Sequence, residues 1–307
     1  MRKNRIWVLC LLMLWSLLQP VEASALTPLE PEKPCSLTLH YRQEGVGFAD
    51  IPVRIYRVAE AFPDGTFELI SPYSGYPVNI HGITSQTEWQ TVATTLTAYI
   101  AADQVTPDDT ATTDDSGTAV LTGLKTGLYL VSGAVAENEN GTYVFRDFMV
   151  YLPTPAEEGF DYDVEALPKC GAFTPATDYR VVKLWKDAGN SRNRPASVEV
   201  ELREDGILRE TVTLSRENDW TYEWSDPDGR GIWTVAEKNV PAGYRVSIST
   251  GGAAFTITNT YPCAPDMPDT GDTSPLWLYI VIMCFSGFML MILGTVGLRG
   301  RKHEKNK

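Results

Sequence analysis

Between residues 179 and 261 the chain alternates apolar and polar residues with period two, in short bursts. Seven segments do this: YRVVKLW (179–185), SVEVELRE (197–204), ILRETVTLS (207–215), WTYEWS (220–225), IWTVAE (232–237), YRVSIS (244–249) and FTITNTY (255–261). Gly, Pro, Asn and Asp fill the spaces between them. Strict alternation is the mark of a strand with one buried face. Strands this short, closely spaced and bounded by turn formers predict an antiparallel β-sandwich.

Parity also says which side chains share a face. In the first segment Tyr179, Val181, Lys183 and Trp185 go together; in the fifth, Trp233, Val235 and Glu237; in the last, Phe255, Ile257, Asn259 and Tyr261. Each set is aromatic or aliphatic except for one polar member. A lone buried Lys or Glu costs several kcal/mol unless it is neutralised or paired, so three such insertions need a joint explanation. One is an intramolecular isopeptide bond. Burial favours a neutral Lys183 amine and a protonated Glu237; the amine attacks the Asn259 carboxamide, Glu237 carries protons, and ammonia leaves. The other is a buried Lys–Glu pair with Asn259 hydrogen-bonded beside it, or three rim positions near strand ends. Parity alone accommodates both.

The segment from Cys35 to Lys169 also reads as short strands: 36–41, 51–58, 119–121, 128–131 and 143–152, with Val53, Ile55 and Tyr56 facing the core and a turn at 113–117. One stretch breaks the pattern. Residues 85–102 place Trp89, Val92, Ala93, Leu96 and Tyr99 on a three-four spacing, and Ser85 with Glu88 forms a capping box. This predicts an amphipathic helix inserted between strands and packed on the sheet. Residues 171–178 (GAFTPATD) read as a linker.

The two ends set the topology. Arg2, Lys3 and Arg5, the apolar run IWVLCLLMLWSLL and Ala23-Ser24-Ala25 predict a signal peptide, residues 1–25, cut after Ala25. Residues 276–298 carry no charge and, as a helix, would extend about 34 Å, enough to cross a bilayer core. A basic tail, 299–307, follows and keeps to the cytoplasmic side, which places the bulk of the chain outside. Directly before the span stands Met267-Pro268-Asp269-Thr270-Gly271. Motif, apolar span and basic tail in this order resemble a sortase sorting signal of Gram-positive bacteria, with Met in place of the usual Leu. The resemblance implies cleavage between Thr270 and Gly271 and transfer of the Thr270 carbonyl to an amine of peptidoglycan or of another subunit.

Processing would leave residues 26–270, with 18 Lys plus Arg against 36 Asp plus Glu, a balance of about −18. Such a surface repels nucleic acid and anionic lipid. Of the five cysteines, Cys10 lies in the signal and Cys284 in the span. Cys35 and Cys170 bracket the first domain, and in an exported protein they are candidates for a disulfide, provided their Cα atoms come within about 7 Å; Cys263 is left over. No C-x-x-C pair is present, and the histidines are His40, His81 and His303, so neither a metal nor a cofactor is expected. No nucleophile elbow, phosphate-binding loop or dinucleotide fingerprint occurs. No enzyme is expected beyond self-directed chemistry.

The phrases KLWKD, RPASVEVELREDG, NDWTYEW, WTVAEKNVPAGY and FTITNT, covering 179–261 almost without interruption, resemble a Cna B-type domain of Gram-positive adhesins and pilins. The resemblance implies a prealbumin-like, Ig-like sandwich in which Lys183 of the first strand joins Asn259 of the last, with Glu237 as the catalytic acid. GLYLV, FMVYLP and YDVEALPK are similar to the N-terminal domain of backbone pilins. There the segment before the linker ends in Tyr-Pro-Lys, whose lysine accepts the next subunit's threonine. Here the positions read Leu167-Pro168-Lys169, so Lys169 is a candidate polymerisation lysine without the aromatic residue, or an ordinary linker lysine.

The expectation is therefore a mainly β chain of two tandem Ig-like sandwiches, the first with an inserted helix: a leader at 26–34, a pilin-like domain at 35–170, a linker at 171–178, the B-type domain at 179–261 and a stalk with the sorting motif at 262–271. It would be exported and anchored to the cell wall as a pilus subunit. The alternative is a monomeric wall-anchored adhesin for a host or matrix ligand, for which the Tyr73–Tyr76 loop and the Trp89 helix are candidate surfaces.

Overall fold

The structure is a computed structural model that describes residues 29–261, apart from 63, 140, 158, 188–190, 228 and 230. The signal peptide, residues 26–28 of the leader, the MPDTG motif, the apolar span, the basic tail and Cys263 lie outside the described residues.

The first half contains β1 (Cys35–His40), the small hairpin β2 (Arg42–Gln43) and β3 (Val46–Gly47), then β4 (Pro52–Ala61) and β5 (Phe67–Leu69). Helix α1 (Gln86–Asp103) follows, then β6 (Asp109–Thr112), β7 (Thr118–Leu124), β8 (Gly127–Val131), β9 (Ala134–Asn138) and β10 (Gly141–Phe145). The half ends with β11 (Phe148–Leu152), β12 (Thr154–Ala156), β13 (Gly159–Asp161), β14 (Asp163–Ala166) and β15 (Cys170–Ala172). The sheet β11-β8-β4-β5, extended by β6 on β4, is the one that matters for the site. Val53, Ile55, Tyr129 and Val131 face one core with β1 and β7, while Tyr56, Val58, Leu128 and Leu130 face α1. All five residues of β8 are buried because the strand is covered on both faces.

Two details depart from the sequence reading. The segment 143–152 is not one strand: it breaks between β10 and β11, where the Asp147 carboxylate turns inward and accepts from Gly133 N at 2.7 Å. Residues 170–172, partly within the expected linker, pair as β15 with Tyr143–Phe145 of β10.

The second half contains all seven expected strands: β16 (Asp178–Lys186), β17 (Ser197–Glu204), β18 (Ile207–Ser215), β19 (Thr221–Ser225), β20 (Trp233–Lys238), β21 (Arg245–Gly251) and β22 (Ala254–Thr260). They form two sheets, β19-β16-β22-β21 and β18-β17-β20. The sandwich is not wholly antiparallel. The first and last strands, β16 and β22, run parallel side by side, with Lys183 opposite Ile257 and Trp185 opposite Asn259. Tyr261 falls just past β22 and is exposed rather than in the core; it lies edge-on to Tyr244 at 5.2 Å.

Helix α1 begins as expected. Ser85 caps Glu88 N, and the Glu88 carboxylate accepts from Ser85 N at 2.9 Å. It ends at Gln104, whose left-handed conformation (φ 51°) closes the last turn. The predicted face, Val92, Ala93, Leu96 and Tyr99 with Trp89 half-buried, does pack on the sheet. The helix also has a second buried side, including Thr95 and Ala98. Thr95 Oγ1 accepts from Ile248 N of β21 at 2.8 Å, and Pro77 O accepts from Val246 N at 2.7 Å. The outward N–H groups of an edge strand are thus satisfied by the first half of the chain. From the second half, Arg203 Nη2 donates to Ala102 O at 3.2 Å, a cation on the last turn of the helix. One hydrophobic core runs from Val58, Leu128 and α1 into Val181, Val200, Val235 and Ile257, so the expected tandem sandwiches share their packing across α1.

Candidate functional site: a buried lysine, glutamate and asparagine

Each strand brings its polar residue to the same point for a local reason. On β16 the pattern alternates buried and exposed, which turns Lys183 inward behind Val181 and Tyr179. On β22 Asn259 follows Phe255 and Ile257. These two strands are neighbours in one sheet. Glu237, on β20 opposite Val200, comes from the facing sheet and points across the sandwich. Lys183 is 3% exposed, Glu237 1% and Asn259 0%.

The three side chains meet. Lys183 Nζ lies 3.2 Å from Glu237 Oε2, and Asn259 Nδ2 donates to Glu237 Oε1 at 2.9 Å. One carboxyl group therefore bridges the amine and the carboxamide nitrogen. Lys183 Nζ also reaches Leu184 O at 3.3 Å and stands 4.4 Å from the centre of the Trp185 ring, an apolar wall. Asn259 Oδ1 is buried with no hydrogen-bond partner. An unmet carbonyl in a core is costly, and here it is the oxygen on which negative charge would build if Cγ were attacked.

Burial shifts both groups toward their uncharged forms. Burial pulls the Lys183 ammonium down from 10.5 to about 8, against the opposing pull of the Glu237 carboxylate. Burial likewise raises Glu237 above 4.5, opposed by Lys183 and by the Asn259 hydrogen bond. Both shifts run the same way, toward amine and carboxylic acid. The cluster therefore holds an amine and a carboxamide nitrogen on the two oxygens of one buried carboxyl group.

A family model for the Cna protein B-type domain matches residues 179–260. This segment is a Cna B-type domain. The collagen adhesin of Staphylococcus aureus is 28% identical over 153 residues, which is 44% of this chain and 13% of that protein, so the chain spans only a small part of its relative's length. Among solved structures, a single B repeat unit of the collagen binding surface protein of Staphylococcus aureus is 15% identical. That match covers 75% of this chain and 99% of that one, with a TM-score of 0.26. The SpaE basal pilin of Lactobacillus rhamnosus GG is 12% identical, covering 72% and 85%, with a TM-score of 0.31. The family match is thus confined to residues 179–260, within the second half of the chain.

The other sequence candidates are scattered. Lys169 is exposed in the turn between β14 and β15, with Leu167 71% exposed beside it and Pro168 buried. Cys35 and Cys170 do not form the disulfide considered for them: both are free thiols. Cys35 sits on β1 in the sheet with β7 and β14, Cys170 on β15 in the sheet with β9 and β10. Burial, with Asp163 nearby, pushes the Cys35 thiol up to about 11. Tyr73 and Tyr76, considered as a ligand surface, are core residues at 2% and 8% exposure, and Trp89 packs edge-on against Phe67 at 6.0 Å.

Two features escaped the sequence reading. Asp187, just past β16, is buried and forked onto Arg194 at 2.6 and 2.8 Å, with Tyr244 OH donating to it at 3.2 Å; the Arg194 guanidinium lies 5.7 Å from the Trp185 ring. Tyr99 of α1 donates its hydroxyl to Glu237 O at 3.0 Å. Neither follows a strand or helix period: Tyr99 and Glu237 are 138 residues apart, and Asp187 and Arg194, though only seven apart, lie outside the alternating segments.

Proposed function

We propose that the chain is a cell-wall-anchored structural surface protein, a pilus subunit, whose B-type domain is locked by an amide between Lys183 and Asn259. The observation that carries this reading is the bridging geometry of Glu237 between two buried nitrogens. Lys183 Nζ attacks Asn259 Cγ. Glu237 Oε2 takes the proton from the attacking amine while Oε1 hands one to Nδ2, so the acid is regenerated. One C–N bond forms, one breaks, and ammonia leaves with no change in oxidation state. The product joins adjacent parallel strands at opposite ends of the domain's sequence. Pulling on those ends then loads a covalent bond instead of peeling β16 from β22.

The same reading assigns Met267 to Gly271 as the sortase signal, with Thr270 joined to peptidoglycan or to an amine of another pilin subunit. Lys169 is the acceptor considered for polymerisation: it is exposed, and the preceding proline stiffens its approach. A second reading, a monomeric anchored adhesin for a host or matrix ligand, is favoured by the leucine at 167, where the acceptor motif of backbone pilins carries tyrosine. The test is an immunoblot of boiled cell-wall extract from the native host. A high-mass ladder supports the pilin. A single wall-linked species supports the adhesin. Protein found only in the medium, with Thr270→Ala making no difference, refutes wall anchoring in either form.

A further inference from the structure

The flank of the B-type sandwich nearest the cluster is not closed by its own strands. β20 is paired with β17 alone, and β21 with β22 alone, so each sheet has an open edge there. Helix α1 of the first half lies over both edges. Thr95 receives Ile248 N of β21, and Tyr99 sends its hydroxyl into the seam to Glu237 O of β20, 3.0 Å away and buried. Val92, Leu96, Tyr99 and Ile100 belong to the same hydrophobic core as Val200, Val235 and Ile257. The ionisable groups around this seam are Lys183 and Glu237 on the sandwich side and, beside Tyr99, Asp103 and Tyr76.

Glu237 must keep its carboxyl within reach of two nitrogens at once, 3.2 and 2.9 Å away. Where the carboxyl sits depends on where its own backbone is held. On one side β17 holds it, through the pairing of Val200 with Glu237; on the other the Tyr99 hydroxyl does. We infer that Tyr99 is a positioning residue for the condensation of Lys183 with Asn259, so that the first half of the chain must dock on the sandwich before the cross-link forms at full rate. This rests on the reading of the cluster as a condensing one. Tyr99 touches neither reacting atom. It fixes the strand that carries the acid, and α1 keeps water from the seam. A chain built this way locks its B-type domain only after the neighbouring domain has folded against it.

The test follows condensation in the mature chain, residues 26–270, made by cell-free synthesis and moved to buffers from pH 5 to 9, with intact mass read over time. Tyr99→Phe keeps the ring in the core and deletes the hydroxyl. A misplaced acid is expected to slow condensation at pH 7 by about 10- to 100-fold. Water admitted to the seam would let Glu237 fall back toward 4.5, so the decline of rate with rising pH should begin at lower pH than in wild type. Thr95→Val removes the hydrogen bond to β21 instead and should stay within about twofold of wild type. If wild type condenses and Tyr99→Phe matches it in rate and pH profile, Tyr99 has no positioning role. The same holds if Tyr99→Phe and Thr95→Val slow equally, since the cause is then general loosening. If wild type itself never loses ammonia, the condensation reading has failed and the inference falls with it.

Discussion

Replacing Lys183 by Met removes the amine but keeps an unbranched apolar stem in the same slot. In the variant Asn259 keeps its carboxamide, whose Nδ2 donates to Glu237, so no buried charge is stranded and the local cost is about 1 kcal/mol. The larger effect is on the unfolded chain. The amide would close a loop of about 77 residues, from 183 to 259. By the chain-entropy relation used for disulfides this restricts the denatured state by about 15 cal/mol/K, or roughly 4.5 kcal/mol at 25 °C. The second half shares its core with α1, so the melting unit is the whole described body rather than one small domain. For a unit of that size about 1 kcal/mol corresponds to roughly 2–4 °C. Lys183→Met should therefore melt about 10–20 °C below wild type in scanning calorimetry of the mature chain. Asn259→Ala cuts the same tie, and the double variant should fall no further than the larger single effect. A wild type proven condensed by mass, with Lys183→Met melting within about 3 °C of it, would refute the entropic account of the bond.

Two further outcomes follow from the same geometry. In Asn259→Ala the amine stays free: the unfolded chain holds its proton up to 10.5, while the folded chain releases it near 8. The unfolded state then binds more protons across that window, so stability should climb with pH from about 8 to 10.5, by at most about 3 kcal/mol. Subtracting the wild-type curve isolates Lys183, and a flat difference would show its pKa is not depressed. For polymerisation, Lys169→Arg in the native host should abolish a high-mass ladder while leaving wall-linked monomer; an unchanged ladder rules out Lys169 as the acceptor.

Much of the B-type domain was legible because burial on a strand is a parity property. Seven alternating segments gave seven strands, and three polar residues in core registers proved to be in contact. Parity names the face, however, and not the neighbouring strand. It could not show that β16 and β22 run parallel side by side, nor that Glu237 arrives from the opposite sheet. The helix illustrates the same limit. Its capping box and apolar stripe were plain, but Thr95 and Ala98 read as the polar and small residues of an exposed side. They are buried because β21 and β20, more than a hundred residues downstream, need their edges covered. Asp147 breaks an otherwise continuous run of strand formers through one inward hydrogen bond to Gly133, which no local propensity encodes. Cys35 and Cys170 were candidates for a disulfide because they bracket a domain, a condition that leaves their separation open. In the structure both thiols are free, Cys35 on β1 and Cys170 on β15.

The claim at the centre of this account is that Lys183 and Asn259 become one amide with Glu237 as the acid. Intact-mass spectrometry of the mature chain, reduced to set aside any disulfide, measures it most directly. Wild type should weigh about 17 Da less than its sequence, the mass of one ammonia. Glu237→Ala should show the full, uncondensed mass while still giving the β-rich spectrum of the folded protein. A wild-type mass equal to that of the sequence would contradict the claim and leave the cluster as a buried ion pair.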